Sequence, residues 1–322
     1  MIALALILLV AAAFAFAYSI GAHYTGACMG MPYAAGAIRS RNALLLMAPL
    51  TLAGAVLASE GVEQTVGHGL LRAGNVDLGL ALAIVTSALV LTSAYNFLTI
   101  PTSTIQILVF STIGAGLAAG ATVHWTTVEA LLVLWAVAPV AALVLGFLFV
   151  RASDGLRPRA GPPGPLAQTA IVGLVSVGAA ASFAMGANDV SNASGALVMS
   201  GLFSLPLAAL LGGIGLSLGV LTWGRPLLER VAFGVVALDP RMAIGAQLAQ
   251  SSVILVAVTF GAFTSMNQAL VGAMIGTGFA RGRSTVPWKS IRDILAGWAV
   301  GPISGAAVGF ALTAALRYVG AI

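Results

Sequence analysis

The sequence predicts an all-α polytopic membrane protein of about ten spans, arranged as two inverted five-span repeats with interrupted helices. Three observations predict it. Of 322 residues, 60% are hydrophobic and 7% are charged, with a mean hydropathy of +1.05, a composition no water-soluble globular domain approaches. Blocks of sequence recur at one nearly constant offset, and the basic residues fall on one side of the spans. A hydrocarbon core about 30 Å thick takes on the order of 20 apolar residues per helix, so this length holds roughly ten spans and no separate soluble domain. The apolar runs are continuous and rich in Ala, Leu and Gly, which excludes the alternating strands of a membrane β-barrel.

The first repeat, 1–150, carries spans at 2–20, 42–58, 77–96, 100–120 and 129–150. The opening span is not a signal peptide on this reading, because no Lys or Arg precedes Arg39 and the basic n-region is missing. A cytoplasmic linker follows at 151–165, with Arg151, Arg157, Arg159 and four prolines, a composition that neither spans nor packs. The second repeat, 166–322, carries spans at 166–185, 203–223, 242–262, 266–280 and 291–316.

The duplication rests on three blocks. Pro101-Thr102-Ser103-Thr104-Ile105-Gln106, running on to Ile113-Gly114-Ala115-Gly116, matches Phe263-Thr264-Ser265-Met266-Asn267-Gln268, running on to Ile275-Gly276-Thr277-Gly278, at an offset of 162. Trp135-Ala136-Val137-Ala138-Pro139 matches Trp298-Ala299-Val300-Gly301-Pro302 at 163, and Gly21-Ala22 with Gly30 matches Gly186-Ala187 with Gly195 at 165. An odd number of crossings per half turns the second half upside down relative to the first. The charges agree. With both termini outside the inner (plasma) membrane, Arg39, Arg41, Arg151, Arg157, Arg159, Arg225, Arg230, Arg241, Arg281, Arg283, Lys289 and Arg292 are cytoplasmic, leaving Arg72 and Arg317 outside, a strong positive-inside bias. Arg39 and Arg41 have no basic counterpart at 202–206, as inversion requires. The net charge of +5 is accounted for by these loops, so the expected partner is the lipid bilayer and not a nucleic acid. The single Cys28 excludes an intrachain disulfide and a multi-cysteine metal site. Nothing in the sequence fixes the oligomeric state, and a homo-oligomer is compatible with it.

Of nine acidic residues, Glu60, Glu63, Asp77, Glu129, Asp154, Glu229, Asp239 and Asp293 fall in loops or at span ends, and Asp189 alone lies deep in an apolar sequence. Around it Asn188, Ser191, Asn192 and Ser194 crowd between hydrophobic flanks. A charge inside the membrane is costly, so such groups face a cavity, an ion or a partner. A structural cap is the plain alternative. Asn188, Asp189 and Asn192 offer hard oxygen ligands that suit a small cation such as Na+, and the flanking glycines permit an interrupted helix.

The paired blocks Thr102, Ser103, Thr104, Gln106 and Thr264, Ser265, Asn267, Gln268 read as helix N-termini, with Pro101 leading into the first. Such ends present free N–H groups and a positive dipole end, and hydroxyls add donors, so two of them facing one another hold an oxyanion without Lys or Arg. Ordinary Ser/Thr capping explains one such block. Its symmetric repetition favours the anion site, to which Ser191 and Ser194 add donors.

Gly186-Ala-Asn-Asp-Val-Ser-Asn-Ala-Ser-Gly195 resembles the signature of the inorganic phosphate transporter (PiT) family, and Pro101-Thr-Ser-Thr-Ile-Gln106 is similar to its second motif. The resemblance implies an inverted-repeat symporter in which Asn-Asp segments and Ser/Thr helix tips surround phosphate and sodium. The family shows Asn-Asp-x-x-Asn in both halves. Here the first half reads Gly21-Ala-His-Tyr-Thr-Gly-Ala-Cys-Met-Gly30, so His23, Tyr24 and Ala27 stand where Asn, Asp and Asn are expected, and His23, Tyr24 and Thr25 form the altered counterpart of the coupling-ion segment. This version is similar to the sulfate permease branch of the family. Histidine changes charge near neutral pH, so coupling to H+ stands beside coupling to Na+, and sulfate beside phosphate. No organic or metal cofactor is expected. An intramembrane protease needs a second membrane Asp or a Ser–His pair, which the sequence does not supply, so an enzyme is not expected. A passive anion channel is the alternative to a symporter.

Overall fold

The computed structural model describes residues 2–72, 76–100, 102–156, 168–234, 239–282 and 288–320, and every named element among them is a helix. In order these are α1 (Ile2–His23), α2 (Thr25–Ala34), α3 (Ser40–Ala58), α4 (Glu60–His68), α5 (Leu78–Phe97), α6 (Thr104–Ala119), α7 (Trp125–Leu156), α8 (Gln168–Met199), α9 (Leu205–Trp223), α10 (Arg225–Gly234), α11 (Pro240–Thr259), α12 (Met266–Arg281) and α13 (Trp288–Tyr318). The order and lengths repeat: α3 and α9 have 19 residues each, α5 and α11 have 20, α6 and α12 have 16, and α7 and α13 have 32 and 31. Among the described residues eight helices, counting α1 with α2 as one, are long and apolar enough to cross a membrane. At sixteen residues α6 and α12 reach about 24 Å, short of the roughly 30 Å hydrocarbon core.

Those two short helices are the inner arms of hairpins. In the first hairpin, α5–α6, the outer ends lie together: Leu71 bridges Val123, the Arg72 amide donates to Thr122 O at 3.0 Å, and Arg317 at the end of α13 donates to Ala118 O at 2.7 Å. In the second, α11–α12, Arg241 at the start and Arg281 at the end both pair with Asp154 near the end of α7, and Arg281 also pairs with Asp239 at 3.0 Å. Helix α7 runs from the base of the first hairpin, where the His124 amide donates to Leu70 O at 3.0 Å, to the base of the second. The hairpins therefore enter from opposite ends of α7. Their tips, Thr102–Gln106 and Phe263–Gln268, meet in the buried interior.

Reciprocal close contacts of backbone hold the rest of the bundle. A Cβ on Gly186 of α8 would sit 1.9 Å from Thr51 O of α3, and one on Gly54 of α3 would sit 2.0 Å from Phe183 O of α8. At the repeat offset, a Cβ on Gly21 of α1 would sit 1.9 Å from Leu216 O of α9, and one on Gly219 of α9 would sit 1.8 Å from Tyr18 O. Only glycine permits these crossings. This corrects the expectation of an interrupted second motif: α8 runs unbroken through Asn188 and Asp189 to Met199, because its glycines serve close helix approach. The interruptions fall elsewhere, at Tyr24 between α1 and α2, Ser59 between α3 and α4, and Gly224 between α9 and α10. The linker also begins later than 151. Residues 151–156 continue α7 because the first proline comes at Pro158 and Asp154 is tied to two arginines. Its remainder, with Arg157, Arg159 and the four prolines, lies outside the described residues, as do Pro101 and Arg283.

Candidate functional site

Both hairpin tips are helix N-termini, as the sequence predicts. Ser103 caps α6, its hydroxyl accepting from the Gln106 amide, and Ser265 caps α12, accepting from the Gln268 amide, both at 3.4 Å. The threonines just before them have no such duty. Thr102 Oγ1 and Thr264 Oγ1 are buried with no hydrogen-bond partner among the described residues, as are Asn192 Oδ1 and Gln268 Oε1. Buried polar atoms are ordinarily paired, and here four without partners lie around one junction. The tips touch directly: Asn267 Nδ2 donates to Thr102 O at 2.6 Å, and Gln268 Nε2 donates to Gln106 Oε1 at 3.2 Å.

Each tip is gripped by one side chain at the same place in its repeat. Asn188 grips the second, its Nδ2 donating to Thr264 O at 2.9 Å and its Oδ1 accepting from Thr264 N at 3.1 Å. His23 grips the first. Its Nε2 lies 3.1 Å from both the amide nitrogen and the carbonyl oxygen of Thr102, while Nδ1 meets Asn96 Oδ1 at 2.6 Å. Asn96 Nδ2 donates to Ser19 O at 2.7 Å and to Ser19 Oγ at 2.9 Å, which fixes Oδ1 as the acceptor and Nδ1 of the imidazole as a donor. With Nδ1 the donor, Nε2 of the neutral ring accepts from the Thr102 amide, as Asn188 Oδ1 accepts from the Thr264 amide.

One residue further on, the halves differ. Asp189 accepts from Asn188 Nδ2 at 3.0 Å and from Asn192 Nδ2 at 3.2 Å, and interacts with the Tyr24 hydroxyl. Tyr24 Oη lies 3.0 Å from Thr104 Oγ1, which also accepts from Asn192 Nδ2 at 3.2 Å. One carboxylate, from the second repeat, therefore stands beside the junction of the tips, and the first repeat contributes a phenol in its place. The Asp189 carboxylate and the unpartnered Asn192 Oδ1 are the oxygens a small cation would meet here.

Three sequence-predicted residues point elsewhere. Thr25 Oγ1 donates to Ala22 O at 3.1 Å and to Gly224 O at 2.6 Å, pinning α2 to the break between α9 and α10. Ser191 Oγ turns back on Asn188 O at 3.1 Å. Ser194 Oγ donates to Glu63 Oε1 at 2.6 Å, with Val190 O at 2.9 Å as its other acceptor. Glu63, read from the sequence as a loop residue, is fully buried. Asn96 was also missed, as were Gln247, which donates to Ala27 O at 2.8 Å and to Gln250 Oε1 at 2.7 Å, and Trp135, whose Nε1 donates to Phe263 O at 3.2 Å. Position 135 was visible as half of a repeated block, Trp135 and Trp298. The others lie in helices whose polarity carries no mark of partners more than seventy residues away.

Comparison with known proteins extends this picture. The model of the phosphate transporter family matches residues 20–161 and 163–309. The sulfate permease CysP of Bacillus subtilis (strain 168) is 27% identical over 301 residues, covering 92% of this chain and 84% of its own. The chloroplastic inorganic phosphate transporter 2-1 of Arabidopsis thaliana is 25% identical, covering 88% of this chain and 67% of its own. A solved structure described as the sodium-dependent phosphate transporter shares the fold, with a TM-score of 0.88 at 23% identity over 98% of this chain and 99% of that one.

Proposed function

The chain belongs to the phosphate transporter family, and on that premise we propose that it is a symporter moving a tetrahedral inorganic oxyanion, phosphate or sulfate, with Na+ or H+ by alternating access. The observation that carries this reading is the junction of two helix N-termini with unpartnered Thr102 and Thr264 hydroxyls, beside one buried carboxylate. The dipole ends and hydroxyls supply donors to an anion. Among the described residues no Lys or Arg stands with them to make the anion too slow to leave. The carboxylate supplies the opposite charge for a co-transported cation, and proximity of the two charges makes each favour the other's binding. In this reading the halves are inverted repeats, the hairpins move against the surrounding bundle, and the protein lies in the inner (plasma) membrane with both termini outside.

The test is uptake of labelled sulfate and of labelled phosphate into liposomes holding the purified protein, each with a sodium gradient, a proton gradient or neither. Saturable uptake that a cation gradient drives above equilibrium is expected. Flux that follows the anion gradient alone and responds to no cation would replace the symporter with a passive channel.

A further inference from the structure

We propose that Glu63 is a proton-binding residue of the transport cycle, whose ionisation loosens α4 from α8 and so joins a proton to the movement of the second hairpin. The proposal rests on the transporter reading above and goes beyond it by naming the ion and the group that carries it.

The geometry around Glu63 suits both states of a carboxyl. Its Oε1 faces Ser194 Oγ at 2.6 Å, and Ser194 Oγ lies 2.9 Å from Val190 O. When Glu63 is ionised, the serine proton points at Oε1. When Glu63 is protonated, its own O–H donates to Ser194 Oγ and the serine turns its proton to Val190 O. A hydroxyl accepts and donates equally well. The other oxygen, Oε2, is buried with no partner, which the neutral acid tolerates as a carbonyl and the anion does not. Burial pushes the carboxyl up to about 7, with Ser194 opposing and Glu60 adding to the rise. The proton comes from water and returns to it, since Glu60 and Gln64 on the same helix are exposed.

No other charge explains the burial. Among the described elements packed against α4, α8 carries Asp189, α9 carries no ionisable residue, and α11 carries Arg241 at its far end, tied to Asp154 and Asp239. Among the residues whose side chains are described, no cation faces Glu63. Nor does the repeat demand an acid here, because at the offset of 165 that relates α3 to α9 the break at Ser59 falls on Gly224 and Glu63 falls on Leu228.

Helix α4 is also placed to transmit the change. A Cβ on Gly67 would sit 2.6 Å from Val198, and one on Gly195 would sit 2.4 Å from Val66, so α4 and α8 are in closest contact around Glu63. On its other side Thr65 Oγ1 donates to Gly261 O at 2.7 Å, and a Cβ on Gly61 would sit 3.0 Å from Gly261 Cα. Gly261, at a φ of +65°, opens the turn that leads into Phe263 and the second tip. One nine-residue helix therefore connects the signature helix to the hairpin turn, with a carboxyl in the seam.

The experiment compares wild type, Glu63→Gln and Ser194→Ala in liposomes, reading anion counterflow at equal pH and then uptake under an inward proton gradient across a range of pH. Wild type is expected to be stimulated by the proton gradient. E63Q keeps the hydrogen bond to Ser194 and is expected to retain counterflow while losing the stimulation. S194A removes the donor that favours the ionised form, so its pH midpoint moves alkaline. Infrared difference spectra of the detergent-solubilised protein provide a readout that needs no transport: a carboxylic acid band that titrates near neutral pH in wild type and is missing in E63Q. Proton stimulation retained in E63Q, or wild-type counterflow without any proton stimulation, overturns the proposal and leaves the transporter reading standing. If E63Q does not fold, an unmoved midpoint in S194A overturns it. Absence of counterflow with either anion in a folded wild type overturns the transporter reading and this proposal with it.

Discussion

Asp189 and His23 come to the site from different halves and carry opposite expectations. The Asp189 carboxylate is buried among amides and a phenol that can equally hold an amide, so Asp189→Asn should leave insertion and folding intact while abolishing cation-driven uptake. Gradient-driven uptake that survives in D189N removes the residue from the mechanism. His23 reads from the sequence as a proton carrier, but both of its nitrogens are taken up in holding Thr102 and Asn96, a duty that Asn188 performs in the other half. His23→Asn should therefore keep the proton dependence of uptake. His23→Ala should lower thermal stability in detergent by more than H23N does, because it strands the Thr102 amide and Asn96 Oδ1, at about 1–3 kcal/mol for each buried group left unpaired. A pH profile that flattens in H23N would falsify the positioning role.

Among the elements, the hairpin tips were the most legible in the sequence, because Thr-Ser at a helix start, repeated at a fixed offset, can be recognised without knowing what it touches. The separate roles of the two hydroxyls in each tip were not legible. Ser103 and Ser265 cap their own helices, and Thr102 and Thr264 are the ones left without partners. The double variant Thr102→Val/Thr264→Val keeps both caps and close to the side-chain volume. It should weaken apparent anion affinity by tenfold or more per hydroxyl, since a hydrogen bond to a charged group contributes about 1.5–3 kcal/mol and 1.4 kcal/mol is a factor of ten. An unchanged half-saturation concentration in liposomes counts against the tip junction as the anion site. Helix α4 was the least legible element. Glu60-Gly-Val-Glu-Gln-Thr-Val-Gly-His68 is too short and too polar for periodicity to separate it from a loop, and its burial is decided by Ser194, 131 positions along the chain. The glycines of the second motif misled for a related reason: glycine marks both a broken helix and a close crossing, and only the neighbouring Thr51 backbone tells which.

At the scale of the molecule, composition and offset were enough to give an all-helical membrane protein with repeated elements, because bilayer thickness and internal backbone pairing leave few alternatives. The count of crossings was harder, since α6 and α12 are apolar like spans yet end in the interior. That the two hairpin bases lie at opposite ends follows from α7, which joins them. A cysteine at Thr126, next to the first base, should react with a membrane-impermeant thiol reagent from outside, and one at Arg151, near the second, from the cytoplasm; both positions are exposed. The native Cys28 is buried and should contribute little background. Labelling of both from the same side contradicts opposed hairpins.

The meeting of the tips has one more consequence. Two helix N-termini of like sign are held nose to nose with only neutral amides, Asn267 and Gln268, bridging them, and each end carries roughly half a positive elementary charge. With an anion between them the ends are drawn together. Without it they repel, so the loaded centre is the relaxed state and the emptied centre behaves as a compressed spring. In the proposed cycle, delivery of the cargo would leave behind a force that parts the two hairpins, and the return of the empty protein would begin from that recoil.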